Sequence, residues 1–366
     1  MMHIRTKEKE MGLSLFKQDI GIDLGTANTL VYIKGKGIVL DEASVVAYNT
    51  NTKKVIAVGN EAKNMLGAAP PHIKVVRPLR DGVISDFGMT HRMLKSFLQQ
   101  VITTSSFFTS VRVVVGVPSG VTEVEKRAVE EVTRQMGAKE VFIMEEPMAA
   151  AIGSGLDVDS STGCMITDIG GGTSDIAIIA LGGIVTSTSL RMAGDTMNES
   201  IINYIRKVYS LLIGEKMAEK VKIAVGCAFM DESDPEWNQK TLVSGRDLVT
   251  GLPKTLEISS KDVCKALEEC VGEIIGGIKA TLENAPPELA ADIINTGMTL
   301  AGGGAFLRGL DVLIERETGI RTNIAENAAE AVAMGTGLSL QNMSTIESHV
   351  RAKNPYQNVS QSGSGY

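Results

Sequence analysis

Two segments of the sequence place a glycine-rich turn just after an aspartate that ends an apolar run. The first is GIDLGTAN, where Asp23 precedes Gly25, and the second is DIGGGTSD, where Asp168 precedes three glycines. Because glycine has no Cβ, the backbone amides of such turns can point at phosphate oxygens. The two carboxylates could hold the water shell of a Mg²⁺ ion that bridges the phosphates. The predicted phosphate and metal contacts are Asp23, Gly25, Thr26, Ala27, Asn28, Asp168, Gly170, Gly171 and Gly172.

A third glycine turn, formed by Gly302, Gly303 and Gly304, lies between a predicted strand and a predicted helix. Such a turn suits the close approach of the backbone to a nucleoside. Each turn by itself could be purely structural, but the occurrence of all three favours a nucleotide site. The sequence has no GxxxxGK[ST] motif and no GxGxxG that opens a helix, so neither of these nucleotide loops is predicted.

The segments that carry the first two turns repeat one order of elements. An apolar strand, the Asp-x-Gly turn and a second strand occur at residues 20–33 and again from residue 165. This weak internal duplication predicts two lobes that face each other and form a clamp. Between them, the apolar run VRVVVGVP predicts a strand covered on both faces, and Thr122 with Glu125 predicts a capping box that begins a helix. The expected fold is α/β, with a mixed sheet and helices in each of two lobes.

The domain organisation is predicted from these repeats and from the polar stretches between them. Each lobe is expected to carry a small inserted subdomain. The predicted ranges are an N-terminal appendage at 1–18, lobe I at 19–150 with an insertion at about 44–86 and a C-terminal return at about 330–345, lobe II at 151–330 with an insertion at about 193–255, and a polar tail at 346–366, for which composition predicts disorder.

Composition narrows the classes of function. A chain of 366 residues can form two domains, each with its own core, and a formal net charge of -7 argues against a broad nucleic-acid surface. The four cysteines lack CxxC spacing and none is near a histidine, so neither zinc nor a disulfide framework is predicted. No apolar run reaches the roughly 18 residues of a transmembrane helix, which predicts a cytoplasmic protein.

An ordered set of motifs spans the chain from about residue 18 to about residue 340. It includes IGIDLGTANTLVYIKGKGIVL, RPLRDGVISDF, GVPSGVTEVEKRAV, EEPMAAAIGSGL, DIGGGTSDIAIIALGGIV, AGDTMNESIINYI, GRDLVTGLPKTLEI, PPELAADI and LAGGGAFLRGLD. This set resembles the MreB family of bacterial actin-like cell-shape proteins. The resemblance implies a four-subdomain actin fold with ATP, or GTP, and Mg²⁺ in the cleft between the lobes.

The resemblance also implies roles for particular residues. Glu146 of EEPMAAA and Thr173 match the pair that orients the attacking water, and a carboxylate beside a hydroxyl suits that chemistry. Glu219 matches a glutamate expected near the ribose and base, with Lys222 beside it. The turn at 302–304 matches the adenosine motif. Ser174 and Asp175 depart from the Thr-Glu that is usual after the first Thr, which could alter the rate of hydrolysis.

Two groups of apolar residues are candidates for membrane contact. Phe107 and Phe108 are adjacent in the polar loop TTSSFFTS, where they either pack into lobe I or insert into a bilayer. The resemblance favours insertion, because MreB proteins commonly carry an apolar loop here. Leu13, Leu15 and Phe16 could form a second, interfacial segment.

The expected function is that of a slow ATPase that polymerises into filaments at the inner face of the cytoplasmic membrane and controls cell shape. Its expected partners are further copies of itself, the membrane and membrane proteins, with no nucleic acid. Two alternatives share the clamp: a DnaK-type chaperone and a small-molecule kinase. We expect the chaperone to need a β-rich substrate domain after residue 340 and the kinase to need an acceptor pocket, and neither is visible in the sequence.

Overall fold

The computed structural model of the chain describes residues 17–101, 110–230 and 237–340. In chain order the strands are β1 (Lys17–Leu24), β2 (Asn28–Ile33), β3 (Gly37–Ala43), β4 (Val46–Asn49), β5 (Val55–Val58), β6 (Ile73–Val76), β7 (Leu79–Arg80), β8 (Val83–Ile84), β9 (Ser110–Val117), β10 (Glu140–Glu145), β11 (Cys164–Ile169), β12 (Ser174–Ala180), β13 (Gly183–Leu190), β14 (Leu211–Leu212), β15 (Lys240–Asp247), β16 (Pro253–Ser259), β17 (Met298–Ala301) and β18 (Thr322–Ile324).

The helices alternate with these strands. They are α1 (Gly59–Asn64), α2 (Phe87–Val101), α3 (Glu123–Gln135), α4 (Glu146–Gly153), α5 (Gly194–Tyr209), α6 (Glu215–Val225), α7 (Ser260–Glu283), α8 (Pro287–Thr296), α9 (Leu310–Thr318) and α10 (Ala331–Ser339), with 3₁₀ turns at Gly303–Phe306 and Ala328–Glu330. Within the described ranges, no helix is long and apolar enough to span a membrane.

Two five-stranded sheets share one plan. The first has the order β10-β9-β1-β2-β3 and the second the order β13-β12-β11-β17-β18. In each sheet a central strand forms an antiparallel hairpin with the next strand (β1 with β2, β11 with β12) and pairs in parallel with a strand on its other side, β9 or β17. The aspartate turns therefore lie at equivalent edges of two similar sheets, as the repeated sequence pattern predicts.

Burial explains why the central strands are so apolar. All seven residues of β12 are buried, and β9 buries Val113, Val114 and Val115. A strand covered on both faces needs apolar side chains at every position rather than at alternate ones. The edge strand β13, by contrast, alternates between partly buried and exposed residues.

Small sheets interrupt both lobes. Strands β5, β4 and β6 form a three-stranded sheet beside α1, and β14, β15 and β16 form another. The first lies within the predicted insertion at about 44–86, and most of the second lies within that at about 193–255. The exact limits of the lobes and insertions remain a prediction.

Helices α4 and α10 join the two large sheets by packing against each other between them. Their shared cluster includes Val114 of the first sheet and Ile166 of the second. The helices approach so closely that a Cβ on Gly153 would overlap the carbonyl oxygen of Ala331, and a Cβ on Gly335 would overlap that of Ala149. Glycine at these positions lets two backbones touch at the junction of the lobes.

We expect Gly335→Ala to lower the free energy of unfolding by about 2 kcal/mol, because the added methyl forces apart two packed helix backbones. The matched control is Gly276→Ala on the exposed face of α7, where a Cβ meets nothing within 4 Å. That change should stabilise the protein by about 0.5–1 kcal/mol through helix propensity. Denaturant unfolding of both variants measures the difference, and equal stabilities would contradict the close packing of α4 on α10.

Candidate functional site

A cavity of about 560 Å³ opens where the β1–β2 and β11–β12 turns face each other. Its volume suits a small-molecule ligand such as a nucleotide. All the residues predicted to contact a nucleotide or its metal line this one cavity, namely Asp23, Gly25, Thr26, Ala27, Asn28, Glu146, Asp168, Gly170, Gly171, Gly172, Thr173, Glu219, Lys222, Gly302, Gly303 and Gly304. The fold thus brings together residues that are up to about 280 positions apart in the chain.

The first two turns lie so close together that there is no space for a side chain at either Gly171 or Gly172. A Cβ on Gly171 would lie 2.5 Å from the Cβ of Ala27, and a Cβ on Gly172 would lie 2.5 Å from Oγ1 of Thr26. Any side chain at these glycines would push the two lobes apart. The turns consequently form the narrow end of the cleft, where backbone amides from both lobes can converge on one anion.

Local hydrogen bonds hold the first turn in place. The buried hydroxyl of Ser44 donates to the carbonyl oxygen of Gly25 at 2.6 Å and lies 2.9 Å from Oγ1 of Thr29. The side-chain amide of Asn28 donates to Asp41 at 2.8 Å. Ser44 and Asp41 belong to β3 or its end, so the third strand of the sheet fixes the turn between the first two.

The third turn packs against the end of β11. Gly302 has φ of 77°, and a Cβ there would lie 2.5 Å from Oδ1 of Asp168. Its amide donates to the carbonyl oxygen of Ala328 at 2.7 Å. Only glycine combines this backbone conformation with this lack of space. The turn at 302–304 therefore continues the wall of the cleft beyond the two phosphate turns.

A fourth turn reaches the same place and was not predicted. Asp81 and Gly82, which connect β7 to β8, both have positive φ values, 50° and 77°. The amide of Gly82 donates to Oγ1 of Thr26 at 3.0 Å, and a Cβ on Gly82 would lie 2.9 Å from Cγ2 of Thr173. The Asp-Gly pair in RPLRDGVISDF signals a turn, but nothing local indicates that the turn lies between the two glycine loops.

Buried carboxylates gather at the narrow end of the cleft. Burial raises the pKa of Asp23 to about 7, and the nearby charge of Asp41 adds to the rise. Burial likewise raises the pKa of Glu146 and Asp168 well above the usual range, and neighbouring carboxylates raise them further. Mutual repulsion of this kind is relieved by a cation.

The residues fit a hydrated Mg²⁺ better than a metal held directly by protein. Oδ1 of Asp168 is buried and has no hydrogen-bond partner, so it has a lone pair free for a ligand. Among the described residues, no group of three or more His, Cys, Asp or Glu side chains is arranged to hold a metal. Mg²⁺ usually keeps several waters and takes one or two carboxylates together with phosphate oxygens.

Glu146 and Thr173 approach the cleft from opposite lobes. Glu146 is the first residue of α4 and is followed by Pro147, which suits the start of a helix. Each side chain is only 7% exposed. Both side chains are therefore shielded from bulk water inside the cleft that they line.

Asp175, noted above as a departure from the usual pattern, links the two lobes. Its Oδ1 accepts a hydrogen bond from the amide of Ser119 at 2.9 Å. Burial raises the pKa of Asp175, and hydrogen bonds from Ser189 and Ser119 act in the opposite direction. The residue thus connects β12 to the loop after β9, a role that sequence reasoning missed.

Glu219 and Lys222 lie on one face of α6, at the wide end of the cleft. Nζ of Lys222 donates to the carbonyl oxygen of Gly194 at 2.7 Å, and burial lowers the pKa of this lysine. Oε1 of Glu219 accepts from Nζ of Lys63 at 3.0 Å. Lys63 belongs to α1, in the other inserted subdomain, and was not predicted.

The candidate membrane residues Phe107, Phe108, Leu13, Leu15 and Phe16 lie outside the residues that the structure describes. Their roles remain predictions.

A family model described as "MreB/Mbl protein" matches residues 17–348. The chain belongs to the MreB/Mbl family. It is 48% identical over 332 residues to the cell shape-determining protein Mbl of Bacillus subtilis (strain 168), which covers 91% of this chain and 98% of that protein. It is 48% identical over 331 residues to the cell shape-determining protein MreB of Escherichia coli (strain K12), covering 89% and 94%.

Solved structures agree with this membership of the MreB/Mbl family. The crystal structure of MreB5 of Spiroplasma citri bound to ADP superposes with a TM-score of 0.84 at 38% identity, covering 91% of this chain and 98% of that chain. The double helical filament of MamK gives a TM-score of 0.75 at 22% identity and covers 89% and 99%, which supports the fold alone. The predicted actin-like fold is confirmed, and neither the chaperone nor the small-molecule kinase is favoured.

Proposed function

We propose that this MreB/Mbl-family protein binds ATP with Mg²⁺ in the cleft, hydrolyses it slowly and polymerises into filaments that organise cell shape at the inner face of the cytoplasmic membrane. The observation that carries this proposal is the convergence of three glycine turns and a cluster of buried carboxylates on one cavity. Relatives named as cell shape-determining proteins, and MreB5 structures bound to ADP and to AMPPNP, support it.

The chemistry follows from what each wall of the cleft presents. Amides at 25–28 and 170–173 bind phosphate oxygens, and the Gly82 turn excludes bulk water from between them. Mg²⁺ held by Asp23 and Asp168 would neutralise phosphate charge. Glu146 accepts a proton from the attacking water.

The hydroxyl of Thr173 orients the attacking water. The turn at 302–304 and the face of α6 contact the nucleoside. Because the turn at 302–304 meets the base mainly through its backbone, it distinguishes bases weakly, and we expect purine nucleotides to be favoured without a strong preference between ATP and GTP.

Sedimentation tests the proposal against its alternatives. Protein incubated with Mg-ATP should pellet once its own concentration exceeds a critical value. Protein without nucleotide, or with excess EDTA, should pellet less. Parallel samples with GTP and CTP measure the preference for the base. A chaperone or a small-molecule kinase would stay in the supernatant, so failure to pellet under every nucleotide condition would contradict polymerisation.

Membrane attachment through the 107–108 loop gives a separate prediction. Two inserted Phe side chains contribute about 3–6 kcal/mol per subunit before ordering costs, enough for a multivalent filament to bind a bilayer. The double variant Phe107→Ser, Phe108→Ser should therefore polymerise normally but lose co-sedimentation with anionic liposomes. The comparison is deletion of residues 1–16, which leaves β1 intact. If the deletion abolishes binding and the double variant does not, the N-terminal segment is the anchor and the loop proposal is wrong.

A further inference from the structure

Among the residues that the structure describes, three polar contacts cross the wide end of the cleft. They connect α1 and the end of β6, in one inserted subdomain, to α6 in the other. The partners are 138 to 156 positions apart in the chain, so only the tertiary fold brings them together. The contacts join Nζ of Lys63 to Oε1 of Glu219 at 3.0 Å, Nζ of Lys216 to the carbonyl oxygen of Asn64 at 2.7 Å, and the guanidinium of Arg77 to the carboxylate of Glu215.

Partial burial makes the two ion pairs, Lys63–Glu219 and Arg77–Glu215, stronger than ordinary surface pairs, whereas the contact of Lys216 with Asn64 is exposed. The side chain of Arg77 is 17% exposed and that of Lys63 is 28% exposed. Solvent and salt screen such groups less than fully exposed ones. Asp195, at the start of α5, faces the same charges, and Arg77 and Lys222 each stabilise its ionised form against burial. The contacts thus belong to a network of alternating charge, and networks are more stable than isolated pairs.

The contacts hold one wall of the cavity in place. Glu219 and Lys222 line the cavity, so α6 is part of its wall. Helices α4 and α10, which contribute Glu146 and Val332 to the same cavity, join the two large sheets through close backbone packing. Separation of the lobes about that junction would move α1 away from α6 and would break all three contacts.

We propose that these contacts, made by Lys63, Arg77, Glu215, Lys216 and Glu219 and here called the clasp, hold the nucleotide cleft closed, and that opening of the clasp limits nucleotide release. The inference rests on the proposed nucleotide site, because it assigns the regulation of that site. It makes the two inserted subdomains a gate for exchange rather than passive additions to the lobes.

Charge reversal of one pair tests the clasp without altering a residue assigned to nucleotide binding. Arg77→Glu places two carboxylates together and should speed the release of a fluorescent ADP analogue from the monomeric protein about five-fold. That change corresponds to roughly 1 kcal/mol, which is the scale of one favourable ion pair. Glu215→Arg should act similarly, and the double variant Arg77→Glu, Glu215→Arg should return release towards the parent rate.

The matched control is Lys240→Glu. Lys240 pairs with Glu257 at 2.7 Å within the β15–β16 hairpin, where both side chains are 54% exposed and the pair does not cross the cleft. Release should be unchanged. Hydrogen–deuterium exchange of the nucleotide-free proteins gives a second readout, in which Arg77→Glu should increase exchange in α1 and α6 and the double variant should restore protection.

The possible outcomes distinguish failure of the clasp proposal from failure of the proposed nucleotide site. If the parent binds the ADP analogue but the single variants release it at the parent rate, the clasp is wrong and the nucleotide site stands. If release accelerates but the double variant does not recover, the effect is not pairwise and the clasp is also wrong. A parent that binds no nucleotide at all would overturn the proposed function and the clasp together.

Discussion

Replacement of Glu146 by glutamine should slow phosphate release from polymerised protein about 10²-fold or more. Glutamine keeps the size of the side chain but cannot accept a proton. Glu146 is buried among other carboxylates, and burial together with their charges raises its pKa well above the usual range. Nucleotide affinity should change little, because the proposed role is to act on water rather than on the nucleotide.

A single-turnover assay of phosphate release on pelleted filaments measures this effect. Thr173 supplies a matched pair of variants, because Thr173→Ser keeps the hydroxyl and Thr173→Ala removes it. The serine variant should retain most of the rate and the alanine variant should lose it. Phosphate release at the parent rate in Glu146→Gln would show that this carboxylate is not the proton acceptor.

Asp168→Ala should weaken the binding of Mg-nucleotide about ten-fold or more without lowering the thermal stability of the nucleotide-free protein. The carboxylate is 5% exposed, its Oδ1 has no hydrogen-bond partner, and other carboxylates surround it. Such a group costs stability until a cation neutralises it. Its removal should leave the thermal stability of the nucleotide-free protein unchanged or raised, while the gain in affinity from Mg²⁺ is lost.

Calorimetric titration with nucleotide, in Mg²⁺ and in EDTA, measures the change in affinity, and thermal unfolding of the nucleotide-free proteins measures the change in stability. The control is Asp159→Ala, an exposed aspartate outside the cleft, which should bind as the parent does. If Asp168→Ala retained the full difference between Mg²⁺ and EDTA, the metal would have to be held elsewhere.

Structural features that depend on a short stretch of sequence could be predicted from the sequence. An aspartate, a glycine turn and two flanking strands lie within 17 residues in each lobe, at 17–33 and 164–180, so the hairpins and their equivalence could be predicted from pattern alone. The capping box at Thr122 and Glu125 was also predicted, and it is confirmed by the hydrogen bonds from each residue's amide to the other's side chain.

Contacts between distant segments could not be predicted in this way. The Asp81–Gly82 turn reaches Thr26 across 56 positions, and its sequence signals only that a turn occurs. Lys63 and Glu219 each look like an ordinary exposed helical charge, because their pairing depends on how two insertions face each other. Ion pairs of this kind leave no periodic pattern in the chain, whereas buried strands and glycine turns do.

The most direct test of the account is a cryo-electron microscopy reconstruction of filaments assembled with Mg²⁺ and a non-hydrolysable ATP analogue. The account predicts filament density with one nucleotide per subunit, its phosphates between the turns at 25–28 and 170–173 and its base beside 302–304. Metal density should lie within reach of Asp23 and Asp168 through water. Filaments with an empty cleft, or with nucleotide bound elsewhere, would contradict it.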